Sequence, residues 1–454
     1  LEGTCSPLRD LSINGSTTGI EYPTPTTWRY TATLWTRDNR FVISDGLESR
    51  AITVYWDYFQ GGTLTQDTRL WTSARPYVIN QDILVPAGVT LTIEPGVTLQ
   101  FGADRVLRVE GGRLLAEGTA EQPIYFTRQG ADYWGGILLY NSPADNRIRH
   151  AVIEYTREVI AAPRTHGVSA YNSRITIADS IIRHTQDSNA VIADYGSTLY
   201  LLRNEIYDIE SDPVHATGGY AYIQGNVIHD AMRGFPPPDG IELSDMVTPA
   251  VVLDNEVYNI LDDCLDLNHA SAVIERNELH DCGNKGISIG WPSTTTLVNN
   301  LIYATEIGVA VKDSAVSRLV NNTLADNQYG LWLYEDHTGE GAGLATVVNS
   351  ILWGNQVRDI ELDLAHGAAI TVTYSIVQEA RPGEGNLTDD PLFQAPASRV
   401  YRLREDSPAV DSATPEGAPA EDIWGVPRPQ GGGYDRGAHE FFEFYTVHLP
   451  LVLR

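Results

Sequence analysis

An Asn followed two residues later by an aliphatic side chain keeps returning through the middle of this chain. The copies are Asn204-Glu-Ile, Asn226-Val-Ile, Asn255-Glu-Val, Asn277-Glu-Leu, Asn300-Leu-Ile, Asn322-Thr-Leu and Asn349-Ser-Ile, at intervals of 22 to 29 residues. A unit this short cannot bury a core of its own, so each must cover its apolar face with its neighbours, which is the condition for a solenoid.

The unit is built of strands, because its apolar residues alternate with period two. Ile241 and Leu243, Leu265 and Leu267, Ile287 and Ile289, and Val309 and Val311 occupy the same two places in successive units and point to one interior. A second short apolar run follows each pair (Ala250-Val-Val-Leu253, Ser271-Ala-Val-Ile274), and then the Asn. Turns stacked in register would place these Asn side chains in a ladder inside a bend, each amide bonding the rungs above and below. The layout resembles the right-handed parallel β-helix of the pectate-lyase-like superfamily over roughly residues 150 to 378. The resemblance implies an all-β solenoid with a small N-terminal β-sandwich-like domain and a C-terminal cap and tail strand.

Three regions follow: 1–60, 61–378 and 379–454. The first contains alternating segments such as Arg40-Phe-Val-Ile-Ser44, and its opening (Cys5-Ser-Pro-Leu, Leu11-Ser-Ile-Asn-Gly) resembles half of an immunoglobulin-like domain of the polycystic-kidney-disease type. A full sandwich needs ~7 strands and ~100 residues, so this domain either leans on the solenoid or lacks a strand. The solenoid opens at Asp82-Ile-Leu-Val-Pro and Gly96-Val-Thr-Leu-Gln-Phe101, which resembles the first rungs of secreted β-helix proteins. Beyond it, Asp390-Pro-Leu-Phe and Tyr434-Asp-Arg-Gly-Ala-His-Glu-Phe441 resemble the closing segment of such proteins. The last residues are apolar and β-prone, with Tyr445, Val447, Leu449, Leu451 and Leu453 on one parity. Such a strand aggregates unless it pairs, either on its own solenoid or in another molecule by strand addition.

The chain carries 59 acidic and 31 basic residues, a net charge of −28 spread along its length. Nucleic acid is therefore excluded as an expected partner, and no apolar run approaches the ~18 residues that span a bilayer. A start at Leu1 is expected of a mature product after signal-peptide removal, so the expected place is extracellular or at the cell surface. Of the three cysteines, Cys264 and Cys282 fall close enough in adjacent turns for a bridge, but spacing alone leaves the pairing of Cys5, Cys264 and Cys282 open. Asn321-Asn-Thr323 and Asn386-Leu-Thr388 fit the glycosylation pattern. His166, His229, His280 and His366 show no zinc-ligand spacing.

Aligned on the inward aliphatic pairs, the outer face between Asp212 and Lys312 gathers charge in three columns: Asp212, Asp239, Asp263 and Lys285; His215, Glu242, Asp266 and Ser288; Thr217, Ser244, Asn268, Gly290 and Lys312. With rungs ~4.8 Å apart, Glu242 and Asp266 need a shared proton, a cation such as calcium, or the nearby lysines. The segments Pro238-Asp-Gly-Ile-Glu242, Leu261-Asp-Asp-Cys-Leu-Asp266, Asn284-Lys-Gly-Ile-Ser288 and Ile307-Gly-Val-Ala-Val-Lys312 are similar in order to the active-site segments of polygalacturonase-type glycoside hydrolases. That resemblance implies that Asp239, Asp262 and Asp263 supply general acid and water-activating base, and that Lys312 holds a sugar carboxylate. It is broken where Lys285 replaces the family histidine and Ala310 the family arginine. A lyase version would use Lys285 or Lys312, depressed in pKa, as base beside a cation on Glu242 and Asp266. Asn268, Trp332 and Tyr334 are candidate sugar contacts. An ion-pair ladder that neutralises stacked turns is the competing reading of the same columns.

Two functions are carried by these features. The first is an extracellular structural β-helix subunit that assembles through its ends, the tail strand of one copy entering the N-terminal domain of the next. The second is a polysaccharide lyase or glycoside hydrolase acting on an acidic glycan.

Overall fold

The computed structural model describes residues 1–5, 10–32, 38–55, 59–73, 75–160 and 163–442. Three parallel sheets of 13 strands each run along the solenoid, and every turn gives one strand to each. The first sheet runs from Gly62–Thr63 to Arg358–Leu362, the second from Thr68–Leu70 to Ala369–Thr373, and the third from Tyr77–Ile79 to Ile376–Val377. Successive rungs stay in register, with Ile241 beside Leu265, Leu265 beside Ile287, Ile287 beside Val309 and Val309 beside Leu331. All five are fully buried, so the alternation that marks the sequence is the alternation of lumen and surface.

The Asn residues form the expected ladder. The backbone N–H groups of Asn204, Asn226, Asn255, Asn277 and Asn300 each donate to the side-chain Oδ1 of the Asn one rung on, at 2.9–3.0 Å. Each ladder residue follows one in the left-handed region, including Asp254 (φ 56°), Arg276 (φ 53°), Asn299 (φ 54°) and Asn321 (φ 55°), which makes the bend sharp enough to point the amide inward. Asn349 departs from the expectation. Thr323 pairs with Ile351, so the ladder position belongs to Ser350, whose Oγ accepts from Asn322 N–H at 3.1 Å. Asn349 (φ 52°) occupies the preceding left-handed column with Asn299 and Asn321; the two Asn types alternate roles at this bend, and sequence spacing does not separate them.

Those left-handed Asn residues carry the C-terminal segment. Asn299 Nδ2 donates to Glu421 O, Asn321 Nδ2 to Asp435 O and Asn349 Nδ2 to Thr414 O. Residues 383–387 first cover the last rung, where Leu387 N–H bonds Ser375 O and Tyr374 N–H bonds Glu384 O. The chain then turns back along the outside of the third sheet and buries Leu301, Tyr303, Ile351, Phe393, Tyr401 and Leu403 together. The Asn321 side chain is fully buried there, so the sequence pattern at Asn321 does not present a glycan acceptor. Asn386 is half-buried and donates to Val372 O.

At the other end, two three-stranded antiparallel sheets precede the solenoid. They enclose Leu11, Ile13, Trp28 and Phe41, with Cys5 half-buried against them. Tyr445, Val447, Leu449, Leu451 and Leu453 lie outside the described residues. No helix is long and apolar enough to cross a membrane among the described residues.

Candidate functional site

The outer face of the first sheet, where it bends in from the third, holds the charged columns. Register confirms their composition: His215 pairs with Glu242, Glu242 with Asp266 and Asp266 with Ser288; Thr217 pairs with Ser244, and Ser244 with Asn268. The Asp column doubles as a bend ladder. Asp212 Oδ1 accepts from Asp239 N–H at 3.0 Å, Asp239 Oδ1 from Asp263 N–H at 3.0 Å, and Asp263 Oδ1 from Lys285 N–H at 2.9 Å. One carboxyl oxygen of each residue is thus structural.

Backbone economy fixes this bend. Gly240, Cys264, Gly286, Gly308 and Gly330 stand one above another. A Cβ at Gly286 would lie 2.3 Å from Ile302 Cγ2, and one at Gly308 2.6 Å from Gly330 O. The single side chain in the column, Cys264, is bonded to Cys282 (Cα–Cα 5.6 Å), which staples one turn of the solenoid directly beside Asp263 and Lys285. This pairing leaves Cys5 as the free thiol among the described residues.

Above the bend opens a cleft of about 480 Å³ lined by Asp239, Asp262, Asp263, Asp266, Lys285 and Lys312, with Asn268 on its wall. Oxygens of Asp239, Asp262 and Asp263 lie within 4.8 Å of one another. Burial, reinforced by the charges of Asp263 and Asp266, pushes the Asp239 carboxyl up to about 9. Burial also lifts Asp263, but the Lys285 ammonium at 3.2 Å restrains it to about 6. At neutral pH one of these neighbours holds a proton and the other does not. Asp266 is raised by burial, which outweighs the Ser288 hydroxyl beside it and the Lys312 and Lys285 charges; its Oδ2 accepts from Asn268 Nδ2 at 2.5 Å.

Two expectations change. Lys312 is not a depressed base: burial works against its charge, but Tyr334 and the carboxylates of Asp336 and Asp266 outweigh it and push it up to about 12. Its ammonium sits 3.0 Å from Asp336 Oδ2. Glu242, expected beside Asp266 on a cation, is taken by His215 at 2.6 Å. Despite its burial Glu242 is thereby lowered, and His215, also against burial, is raised by the same contact. Among the described residues, ligand atoms cluster within 4.8 Å in three sets: Asp212, His215 and Glu242; Asp239, Asp262 and Asp263; and Asp313, Asp336 and His337, any of which could hold a metal.

Four cleft residues escaped the sequence reading: Asp245, His269, Trp291 and His337. Trp291 (φ 50°) leaves the sheet just after Gly290 and meets His269 and His337 edge to face, at 4.4 and 5.1 Å. His337 reaches the site from a loop 46 residues on, so no local pattern announces it; the one sequence signal was Trp-Pro directly after a column residue. Trp332 and Tyr334 form an aromatic group with Tyr329 one rung further on, Tyr334 in register with Lys312.

Fold and face together define a right-handed parallel β-helix protein with an outward carboxylate cleft. More particularly, the chain contains pectate-lyase-like β-helix domains: a family model described as "Pectate-lyase like beta helix domain" matches residues 62–163, and one described as "Right handed beta helix region" matches residues 239–386. Among solved structures it is similar to a periplasmic alginate epimerase, at 16% identity and a TM-score of 0.46, covering 69% of this chain and 79% of that one. It is also similar to a pectate lyase, at 12% identity and a TM-score of 0.34, covering 78% and 88%. Among curated proteins, 70 residues are 41% identical to Protein bark beetle of Drosophila melanogaster; that stretch is 15% of this chain and 2% of the length of that relative.

Proposed function

We propose that the chain is a carbohydrate-active enzyme that breaks glycosidic bonds in the first-sheet cleft, with Asp239 as general acid and Asp263, assisted by Asp262, as the ionised partner. The observation that carries this reading is the meeting of Asp239, Asp262 and Asp263 within 4.8 Å in a cleft open to a polymer. Glycoside cleavage needs one carboxyl protonated and one ionised across the bond, and burial against the Lys285 ion pair provides that split here. Lys285 keeps Asp263 charged and in place. Lys312 and Lys285 are both engaged by carboxylates, which favours this acid–base route over a lysine-driven elimination. Screening the purified chain on a panel of polysaccharides for new reducing ends, with Asp239→Asn and Lys285→Ala alongside, tests the reading. Release by the parent and loss by about 100-fold in Asp239→Asn supports it; release of an unsaturated product, or equal release by Asp239→Asn, overturns it.

The structural-subunit reading has one supporting observation. The C-terminal segment is fastened outside the ninth to thirteenth rungs, at Asp281, Asn299, Asn321, Asn349 and Ser375. Pairing of residues 443–454 with the N-terminal sheets of a second copy is the assembly this reading proposes. A sedimentation profile that is unchanged by deletion of 443–454 and monomeric in both cases would exclude it.

A further inference from the structure

Four strands form the edges of the two N-terminal sheets, and three of them are blunted. Glu2–Thr4 and Ser12–Ile13 are three and two residues long. Ile20–Thr24 carries Pro23 and a register shift between Glu21 and Thr24. Short strands, proline and bulges are the usual means of closing an edge to other chains. The fourth edge, Ser49–Tyr55, has none of them. It runs for seven residues without proline and pairs regularly on one side, from Asp38 beside Tyr55 to Ser44 beside Ser49. No strand among the described residues pairs with its other side. Residues 49–53 are exposed. Ile52 shares a face with Val54, which packs against the domain core, yet it is 42% exposed. The described residues give this domain six strands, one fewer than the ~7 of a full sandwich.

We infer that Ser49–Tyr55 is the acceptor edge for residues 443–449 of a second copy of this chain, added as an outer strand by main-chain pairing. Residues 443–449 are the stretch of the tail that ends before Pro450, which has no N–H to give a ladder. They number seven, the length of the open edge, and include the β-prone Phe444, Tyr445 and Val447. The acceptor belongs to another copy because Glu443 follows directly on Phe442, and the two cavities that Phe442 lines are walled by residues 394–442 alone. Phe442 thus stands within its own C-terminal segment, and an N-terminal edge that reaches the residue after it comes from elsewhere. Each copy then offers one strand and accepts one, a head-to-tail contact that repeats. The inference rests on the structural-subunit reading, which asks only that the tail join the N-terminal sheets, and adds to it the edge and the segment.

The test is cysteine cross-linking between full-length chains, each carrying Cys5→Ser to remove the free thiol. Ile52 and Thr446 are the middle residues of their two stretches, so they stand opposite each other whether the strands run parallel or antiparallel. Their Cα atoms would then lie about 5 Å apart, within reach of a disulfide. Mixing an Ile52→Cys chain with a Thr446→Cys chain under mild oxidation is expected to give a disulfide-linked dimer. The yield should be about ten-fold above that of Tyr22→Cys, on the Pro23 edge, mixed with Thr446→Cys. Tyr22 and Ile52 are both exposed, so neither change empties a core. Sedimentation of the parent should show association that deletion of 443–454 abolishes. Cross-linking at Tyr22 as readily as at Ile52, or no cross-link from an associating parent, would overturn the inference and leave the structural-subunit reading standing. Association that survives the deletion, a monomeric parent without cross-links, or a bond that forms only within a single chain carrying both Ile52→Cys and Thr446→Cys would overturn both.

Discussion

Asn277 offers a direct test of what the Asn ladder contributes. Its Oδ1 accepts from Asn255 N–H at 3.0 Å and from Asn255 Nδ2 at 2.9 Å; its Nδ2 donates to Val252 O at 2.9 Å and to Asn300 Oδ1 at 3.0 Å. The residue is fully buried, so water cannot replace these bonds. Asn277→Ala strands one backbone group, the Asn255 N–H, and a buried orphan costs about 1–3 kcal/mol. The expected loss is therefore about 1–3 kcal/mol, concentrated in the adjoining turns, because solenoid rungs support only their neighbours. Asn277→Ser should cost about half as much. The molecule makes that substitution itself at Ser350 and Ser375, where a hydroxyl takes the backbone N–H of the preceding rung at 3.1 Å. Urea unfolding gives the size of the loss, and hydrogen exchange at the Asn255 amide gives its place. A change below about 1 kcal/mol with unaltered Asn255 exchange would refute the claim that these bonds hold the bend.

Asp239 makes stability depend on pH. Its folded value of about 9 stands above the ordinary 3.8, so between these values the unfolded chain gives up a proton that the folded chain retains. Stability should fall as pH rises through that window, by up to about 1.4 kcal/mol per pH unit, and Asp239→Asn should flatten the slope; urea midpoints from pH 4 to 9 measure both. Reducing the Cys264–Cys282 bridge, which closes an 18-residue separation, should cost about 3 kcal/mol and be seen as a lowered melting temperature. Arg428 and Glu440 form an ion pair with both side chains at 0% exposure; Glu440→Gln should cost about 3–5 kcal/mol and make residues 390–442 the first to be cut in limited proteolysis.

The solenoid was legible because a repeat unit repeats its solution: one inward pair and one Asn, read in several copies, establish register for all. Ile241, Leu265, Ile287 and Val309 fall where the alternation puts them, and the columns of Asp239, Glu242 and Asn268 follow by counting. Counting gave way where two chemically equivalent residues were adjacent, as at Asn349 and Ser350, and where a side chain arrived from outside the repeat, as His337 does. It also could not assign partners. Glu242 was placed next to Asp266 correctly, yet its proton partner is His215 on the rung below.

What the sequence by itself determined is therefore the parallel β-helix and the face on which its charge collects, since both depend only on local alternation and a constant rise per turn. What the tertiary structure alone decided is the state of that charge: which carboxyl is protonated, which lysine is committed and to which carboxylate. Those depend on burial and on distances of a few ångströms between rungs, and a pattern along one chain does not contain them.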